Sequence, residues 1–244
     1  MRYAIISDIH GNIEALEAIL ERFDTLGNID KYYCLGDIVG YGAEPDACCT
    51  LVRERCEVTL LGNHDAAVAG RMDYSYYYDA AREALDWCVD KLSPENMAWL
   101  KELPYTHRLG DVELCHGSPF QPEEYDYVFA LEQARDLLGQ KPDLAGVTFI
   151  GHSHLTKVFA LTSDDALDVV APRFTLKPDM RYIITVGSVG QPRDYDPRAC
   201  AGLYDTESRK FEYVRVEYDV NAQQQKILDA GLARNFAMRL EFGI

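Results

Sequence analysis

Short apolar runs alternate with amphipathic stretches through the first sixty residues. "RYAIIS" (2–7), "KYYCL" (31–35) and "EVTLL" (57–61) are too short for helices and read as buried strands. Between them, "NIEALEAILERFDTLG" (12–27) places Ile13, Leu16, Ile19, Leu20, Phe23 and Leu26 at helical spacing and stops at Gly27. "EPDACCTLVRER" (44–55) reads as a helix with Pro45 in its first turn. This alternation predicts a parallel sheet built from βαβ units. Residues 71 to about 104 read as helical, with Ser93-Pro94 as a helix start inside them. A strand follows at 112, a helix at about 129–139, and a strand ending at Gly151. The runs "KVFAL", "ALDVVA", "RYIITVGS", "CAGLYD" and "KFEYVRVEY" have hairpin-like spacing and predict a second sheet of mostly antiparallel strands. A helical segment at about 220–240 closes the chain. The expectation is an α/β (α+β) fold in one domain over residues 1–244, two packed sheets with a helical cap inserted at about 71–104.

The strand ends carry the chemistry. Five of the six histidines fall there, in Asp8-x-His10, Gly62-Asn63-His64-Asp65, His116-Gly117 and Gly151-His152-Ser153-His154, and Gly36-Asp37 adds a carboxylate. Sites form at the carboxyl ends of strands in open α/β sheets. Imidazole, carboxylate and amide oxygen together suit Mn²⁺, Fe²⁺, Zn²⁺ or Ni²⁺. The absence of thiolates from the set argues against a closed structural zinc site. The candidates outnumber the needs of one ion, whereas two ions about 3.5–4 Å apart with a bridging carboxylate use them all. His107 lies outside every motif and reads as an ordinary exposed or locally satisfied histidine.

Charge narrows the partners. With 24 basic and 40 acidic residues the net charge is −16, which argues against an extended nucleic acid as partner. The seven cysteines form no C-x-x-C pair and read as reduced, buried small hydrophobes. No apolar run approaches the roughly 18 residues that span a bilayer, and the N-terminus reads as a strand, not a secretory signal. No membrane partner is expected, and the cytoplasm is the expected location. Tyr76, Tyr77 and Tyr78 cannot all face one core, so at least one is expected at a cleft, a cap contact or the partner subunit of a homo-oligomer.

In this order the five motifs resemble those of the calcineurin-like metallophosphoesterase superfamily, D-x-H, G-D, G-N-H-[DE], H and G-H-x-H, and most of all its small prokaryotic phosphodiesterase-like branch. The match spans residues 8 to 154, and "GSVGQPRD" (187–194) also resembles a loop found there. The resemblance implies a four-layer αββα sandwich of two mixed β-sheets flanked by helices. It implies two divalent metal ions, Mn²⁺ first among the candidates: Asp8, His10 and His154 hold one, Asn63, His116 and His152 complete the second, and Asp37 bridges. It makes His64 a residue that touches the substrate phosphate and protonates the leaving oxygen. A metal-bridging hydroxide would then hydrolyse a small phosphate ester, diester or monoester. Two divalent ions outweigh the two carboxylates Asp8 and Asp37, so the pocket is locally positive in an acidic protein.

Protein phosphatases of this superfamily continue the second motif as G-D-x-V-D-R-G, whereas this chain runs "GDIVGYG", with Gly40 and Tyr41 at the Asp and Arg positions. The phosphate anchor is therefore sought elsewhere, at Arg193 first and Asn12 second. Arg193 has the alternative of bracing its loop through Asp194 or Asp196. Asp65 either orients His64 or caps a helix. A Ser/Thr-type protein phosphatase, a dinucleotide polyphosphate hydrolase and a non-catalytic scaffold, as in the retromer coat, remain the alternative functions. Retention of His64 and of every ligand counts against the scaffold.

Overall fold

The computed structural model describes residues 1–163 and 165–244. Strands β1 (Arg2–Ile6), β2 (Lys31–Cys34) and β3 (Val58–Thr59) alternate with helices α1 (Ile13–Leu26) and α2 (Pro45–Arg55). Three helices follow, α3 (Asn63–Val68), α4 (Asp79–Lys91) and α5 (Pro94–Lys101). Strands β4 (Thr106–Leu109) and β5 (Val112–Cys115), helix α6 (Leu131–Gln140), and strands β6 (Val147–Ile150), β7 (Thr156–Leu161), β8 (Ala166–Asp168), β9 (Arg173–Thr175) and β10 (Arg181–Val186) come next. The chain ends with β11 (Ala199–Asp205), β12 (Lys210–Val216), α7 (Val220–Asp229) and α8 (Arg234–Met238).

Two six-stranded mixed sheets result, ordered β3-β2-β1-β11-β12-β9 and β4-β5-β6-β10-β7-β8. Strand β1 runs parallel to β2 and antiparallel to β11, while β6 lies parallel to both β5 and β10. The period-2 alternation of β1 shows how the layers are made. Ala4 and Ile6 pack against Leu16, Ile19, Leu20 and Phe23 of α1. Tyr3 and Ile5 face the other way, into a core shared with Leu114, Phe149 and Ile184 of the second sheet. The outer face of that sheet, with Ile150, Phe159 and Ile183, is covered by Ala134 and Leu137 of α6. The order is therefore helix, sheet, sheet, helix. The four large side chains that α1 buries contribute about 6–12 kcal/mol of gross hydrophobic stabilisation.

Three details depart from the sequence reading. The strands after residue 154 divide between the sheets, β11, β12 and β9 joining β1, because pairing partners distant in sequence are chosen by the packed layers. The expected helix from 71 begins only at Asp79. Ahead of it the Asp73 carboxylate accepts from Ser75 N (2.9 Å) and Ser75 Oγ (3.1 Å), a local turn that competes with helix. The terminal helical segment breaks at Gly231, whose φ is 74°. Among the described residues no helix is long and apolar enough to cross a membrane.

Candidate metal centre

The carboxyl ends of β1, β2, β5 and β6 meet across the two sheets, and backbone hydrogen bonds lock their exits together. Asp8 N donates to Gly36 O (3.0 Å), Ile9 N to Asp37 O (2.8 Å) and Gly151 N to His116 O (2.8 Å). The approach is so close that a Cβ on Gly62 would lie 2.2 Å from Asp37 N, so the G-D and G-N-H-D turns fit only with glycine there. Asp8, His10, Asp37, His152 and His154 all have φ between 49° and 63°, the left-handed region that non-glycine residues seldom occupy. All seven candidate ligands are buried.

The histidine tautomers follow from their partners, because a backbone carbonyl can only accept. His10 Nδ1–H donates to Val39 O (3.0 Å), His154 Nδ1–H to Gln191 O (2.6 Å) and His116 Nδ1–H to Leu35 O (3.0 Å). In neutral rings the Nε2 atoms are then lone pairs aimed inward. His10 Nε2 and His154 Nε2 stand 3.1 Å apart. His116 Nε2 lies 3.2 Å from Asn63 Oδ1 and 3.4 Å from Asp37 Oδ2. The His10 and His154 lone pairs repel at this distance unless a cation lies between them, and His116 would offer its own once its proton leaves, so the residues fit divalent metal ions. Carbonyls that fix the far side of a ligating imidazole are the expected outer support of such a site. Two overlapping groups, Asp8–His10–Asp37–His154 and Asp37–His116–His152, keep their ligand atoms within 4.8 Å of one another. Asp37 belongs to both.

Electrostatics among these side chains, taken by themselves, are uneven. Burial pushes Asp8 up to about 7. Burial also opposes ionisation of Asp37, yet His116 and His64 outweigh it and hold that carboxylate well below its usual range. Burial lowers His152 to about 3 and takes His10 and His154 well below the ordinary imidazole value. His116 is the exception: burial would lower it, but Asp37 and Asp8 push it up to about 9. A ligating imidazole must be unprotonated. At pH 7 the metal-free His116 holds a proton that binding must expel, so metal affinity is expected to rise with pH between 7 and 9. Calorimetry in buffers of different ionisation enthalpy would show the proton release, about one equivalent, at pH 8.

His64 belongs to neither group. Its ring stacks edge-on against His10 at 4.9 Å, lies 4.6 Å from Tyr41, and borders a cleft of 490 Å³ also lined by Tyr77, Tyr127 and His152. A Cβ on Gly40, whose φ is 88°, would come within 2.3 Å of His64 Nδ1, so glycine in "GDIVGYG" makes room for this imidazole. Nδ1 is buried with no hydrogen-bond partner. Asp65 does not reach it. The Asp65 carboxylate accepts from Gly62 N (3.1 Å), Ile38 N (2.9 Å) and Val39 N (3.2 Å), capping α3 and bracing the loop after Asp37. The hydrogen bond from Asp65 to His64 suggested by their adjacency is replaced by the capping alternative, since side chains one apart on a helix diverge.

Asn12 is likewise occupied: Oδ1 accepts from Ala15 N (3.1 Å) and Nδ2 donates to Gly190 O (2.8 Å), so it caps α1 and anchors the 187–194 loop. Arg193 does not brace Asp194 or Asp196, which pair with Arg215 and Arg198. Its guanidinium lies 5.9 Å from the Tyr41 ring centre, on the same side of the site as His64.

Tyr77 is a participant that the sequence flagged only as one of a cluster. Its hydroxyl accepts from Asn63 Nδ2 (2.7 Å), which turns Asn63 Oδ1 toward His116 and the metal group. Tyr127 stacks on His152 at 3.9 Å, and Tyr41 packs against His10 at 4.8 Å. Removing an outer hydrogen bond of this kind costs about 10–100-fold in metal affinity. Tyr77→Phe is therefore expected to weaken metal binding by that factor, read by calorimetric titration of the protein after chelation.

The calcineurin-like phosphoesterase family profile matches residues 1–185. The chain is 35% identical over 244 residues to an uncharacterized protein of Methanocaldococcus jannaschii, covering 98% of this chain and 97% of that one. Its structure superposes on a metallophosphoesterase from Sphaerobacter thermophilus with a TM-score of 0.84 at 34% identity, covering 100% and 99% of the two chains. A symmetrical bis(5'-nucleosyl)-tetraphosphatase of Dechloromonas aromatica is 30% identical over 122 residues, 46% of this chain and 42% of that protein. Family profile, full-length relatives and the convergence of five strand-end motifs lead to the same place: the chain belongs to the calcineurin-like phosphoesterase family.

Proposed function

We propose that the protein hydrolyses a small phosphate ester with the help of two divalent cations, Mn²⁺ foremost, that share Asp37. The observation that carries this reading is the inward convergence of imidazole lone pairs on two carboxylates, with one further buried histidine, His64, left outside the ligand set at the mouth of a cleft. Two divalent cations supply Lewis acidity toward phosphoryl oxygens and lower the pKa of water at the site.

The protein's own part begins with orientation. His64 N–H donates to Asp37 Oδ1 (2.8 Å), and His152 N–H donates to both oxygens of Asp8 (3.1 Å each), so the carboxylates are fixed before any ligand arrives. His64 then serves the leaving group. As the bond from phosphorus to the leaving oxygen breaks, its proton passes to that oxygen. Burial lowers the His64 pKa to about 4, so the negative charge of a bound ester would have to offset both burial and the two cations for His64 to carry that proton. Tyr41, Tyr77 and Tyr127 wall the cleft and limit water around the leaving group.

Turnover of p-nitrophenyl phosphate and bis-p-nitrophenyl phosphate with added Mn²⁺, abolished by a chelator and restored by metal, is the test. Absence of turnover on both esters and on a wider ester panel would leave the scaffold reading in its place. Similarity to the tetraphosphatase supports hydrolysis of a dinucleotide polyphosphate as the second reading. The missing arginine at Tyr41 counts against a Ser/Thr-type protein phosphatase.

A further inference from the structure

Carboxylates outnumber cationic side chains in this protein by 40 to 24, yet among the described residues two arginines behind the Tyr41 wall of the cleft pair with no Asp or Glu side chain. Arg193 Nη2 donates to Gln191 Oε1 (2.8 Å), and Arg239 Nη1 donates to the same oxygen (3.1 Å). Two guanidiniums thus face each other across one neutral amide. Among the described residues neither forms an ion pair with an Asp or Glu, while Arg215 and Arg198 beside them take Asp194 and Asp196. Arg239 Nε donates to the oxygen of Ile244, the last residue of the sequence, which offsets part of its charge, whereas Arg193 Nε is buried without a partner. Like charges held this close and partly desolvated cost free energy, which burial and the Arg193 charge register by lowering the pKa of Arg239.

The pair is placed where an anion would be useful. The Arg193 guanidinium faces the Tyr41 ring, and Tyr41 in turn packs on His64 at 4.6 Å. Gln191, which both arginines grip, also holds His154 through its backbone oxygen. The subsite is therefore tied to the metal group on one side and borders the leaving-group histidine on the other. Planar guanidiniums suit phosphate oxygens, which they bind through paired, charge-assisted hydrogen bonds.

We propose that Arg193 and Arg239 form a second anion subsite that takes a phosphate carried by the leaving group, so that the substrate class is an ester or anhydride with two neighbouring phosphoryl groups. The proposal rests on the phosphoesterase reading and narrows it. A simple monoester fills the metal side alone; a diphosphorylated compound fills both.

The experiment compares two probes on the manganese-loaded protein, freed of excess metal: inorganic phosphate and methylenediphosphonate, titrated calorimetrically, with metal content checked afterward. The wild-type protein is expected to bind the diphosphonate at least about tenfold more tightly than phosphate, the worth of one charge-assisted hydrogen bond. Arg239→Gln is expected to reduce that preference about 10- to 100-fold. Arg239→Lys, which keeps the charge and the fold but loses the fork, is expected to fall between. Arg173→Gln on β9 removes the same charge from an exposed edge and should leave the preference intact. An equal preference in wild type and Arg239→Gln overturns the proposal, as does an equal loss in Arg173→Gln. A pair that only braces the C-terminal segment would lower the melting temperature of Arg239→Gln without moving the ratio. Aryl ester turnover is recorded alongside: its absence from the wild type sinks the phosphoesterase reading, whereas turnover with an unmoved ratio sinks the subsite alone.

Discussion

Replacing His64 with alanine is expected to leave the metal content at two equivalents and to cut turnover by about 10²–10⁴-fold, the usual worth of a positioned general acid. The side chain belongs to neither ligand group, and its truncation removes no metal donor. The backbone N–H of residue 64 still donates to Asp37 Oδ1, so the shared carboxylate keeps its orientation. The loss should depend on the leaving group. An aryl ester departs as a stable phenolate and needs little protonation, whereas an alkyl ester departs as a strong base; the alkyl substrate should lose the larger factor. Equal losses on both, or loss of metal, would remove His64 from the proton-transfer role.

Asp37→Asn should strike both ions at once. The amide preserves shape and can still accept from His64 N–H, but it lacks the charge shared by the two groups. It also leaves His116 without its nearest carboxylate, 3.4 Å away. Metal content is expected to fall from two equivalents to one or fewer, with turnover down by about 10³-fold or more, since Lewis acidity toward the phosphoryl oxygens is worth several kcal/mol. Stability gives a second readout. Each ion held at a hundred times its dissociation constant adds about 2.7 kcal/mol, or about 5–10 °C in melting temperature for a chain of this size. The wild type should show that shift on loading and Asp37→Asn should not. Two tightly held equivalents and normal turnover in Asp37→Asn would refute the shared-carboxylate arrangement.

The candidate ligand set is readable because each member lies in a short local motif at a strand end, and strand ends of one edge meet. Asp8, His10, Asp37, His116, His152 and His154 need nothing beyond correct strand order to converge. The supporting groups were harder. Tyr77 meets Asn63, Gln191 meets His154, and Arg239 meets Gln191 only through loop and terminal paths that no periodicity encodes. Asp65 illustrates a different limit: adjacency to His64 allowed two roles, and the helix that begins at Asn63 decided for the cap. Strand partition was opaque for the same reason as Arg239. The antiparallel partner of β1 is β11, near the far end of the chain, and nothing within β11 distinguishes it from the strands that join the other sheet.

The left-handed turns have one more implication. Five of the candidate ligands sit in a conformation that costs about 1–3 kcal/mol apiece, braced by hydrogen bonds among the peptide exits. The socket is thus built during folding, at the expense of global stability, and arrives with fixed dimensions. If the socket holds metal as proposed, exchange of one borderline ion for another of similar radius should meet little reorganisation. Occupancy in the cell would then follow metal supply more than any preference written into the chain.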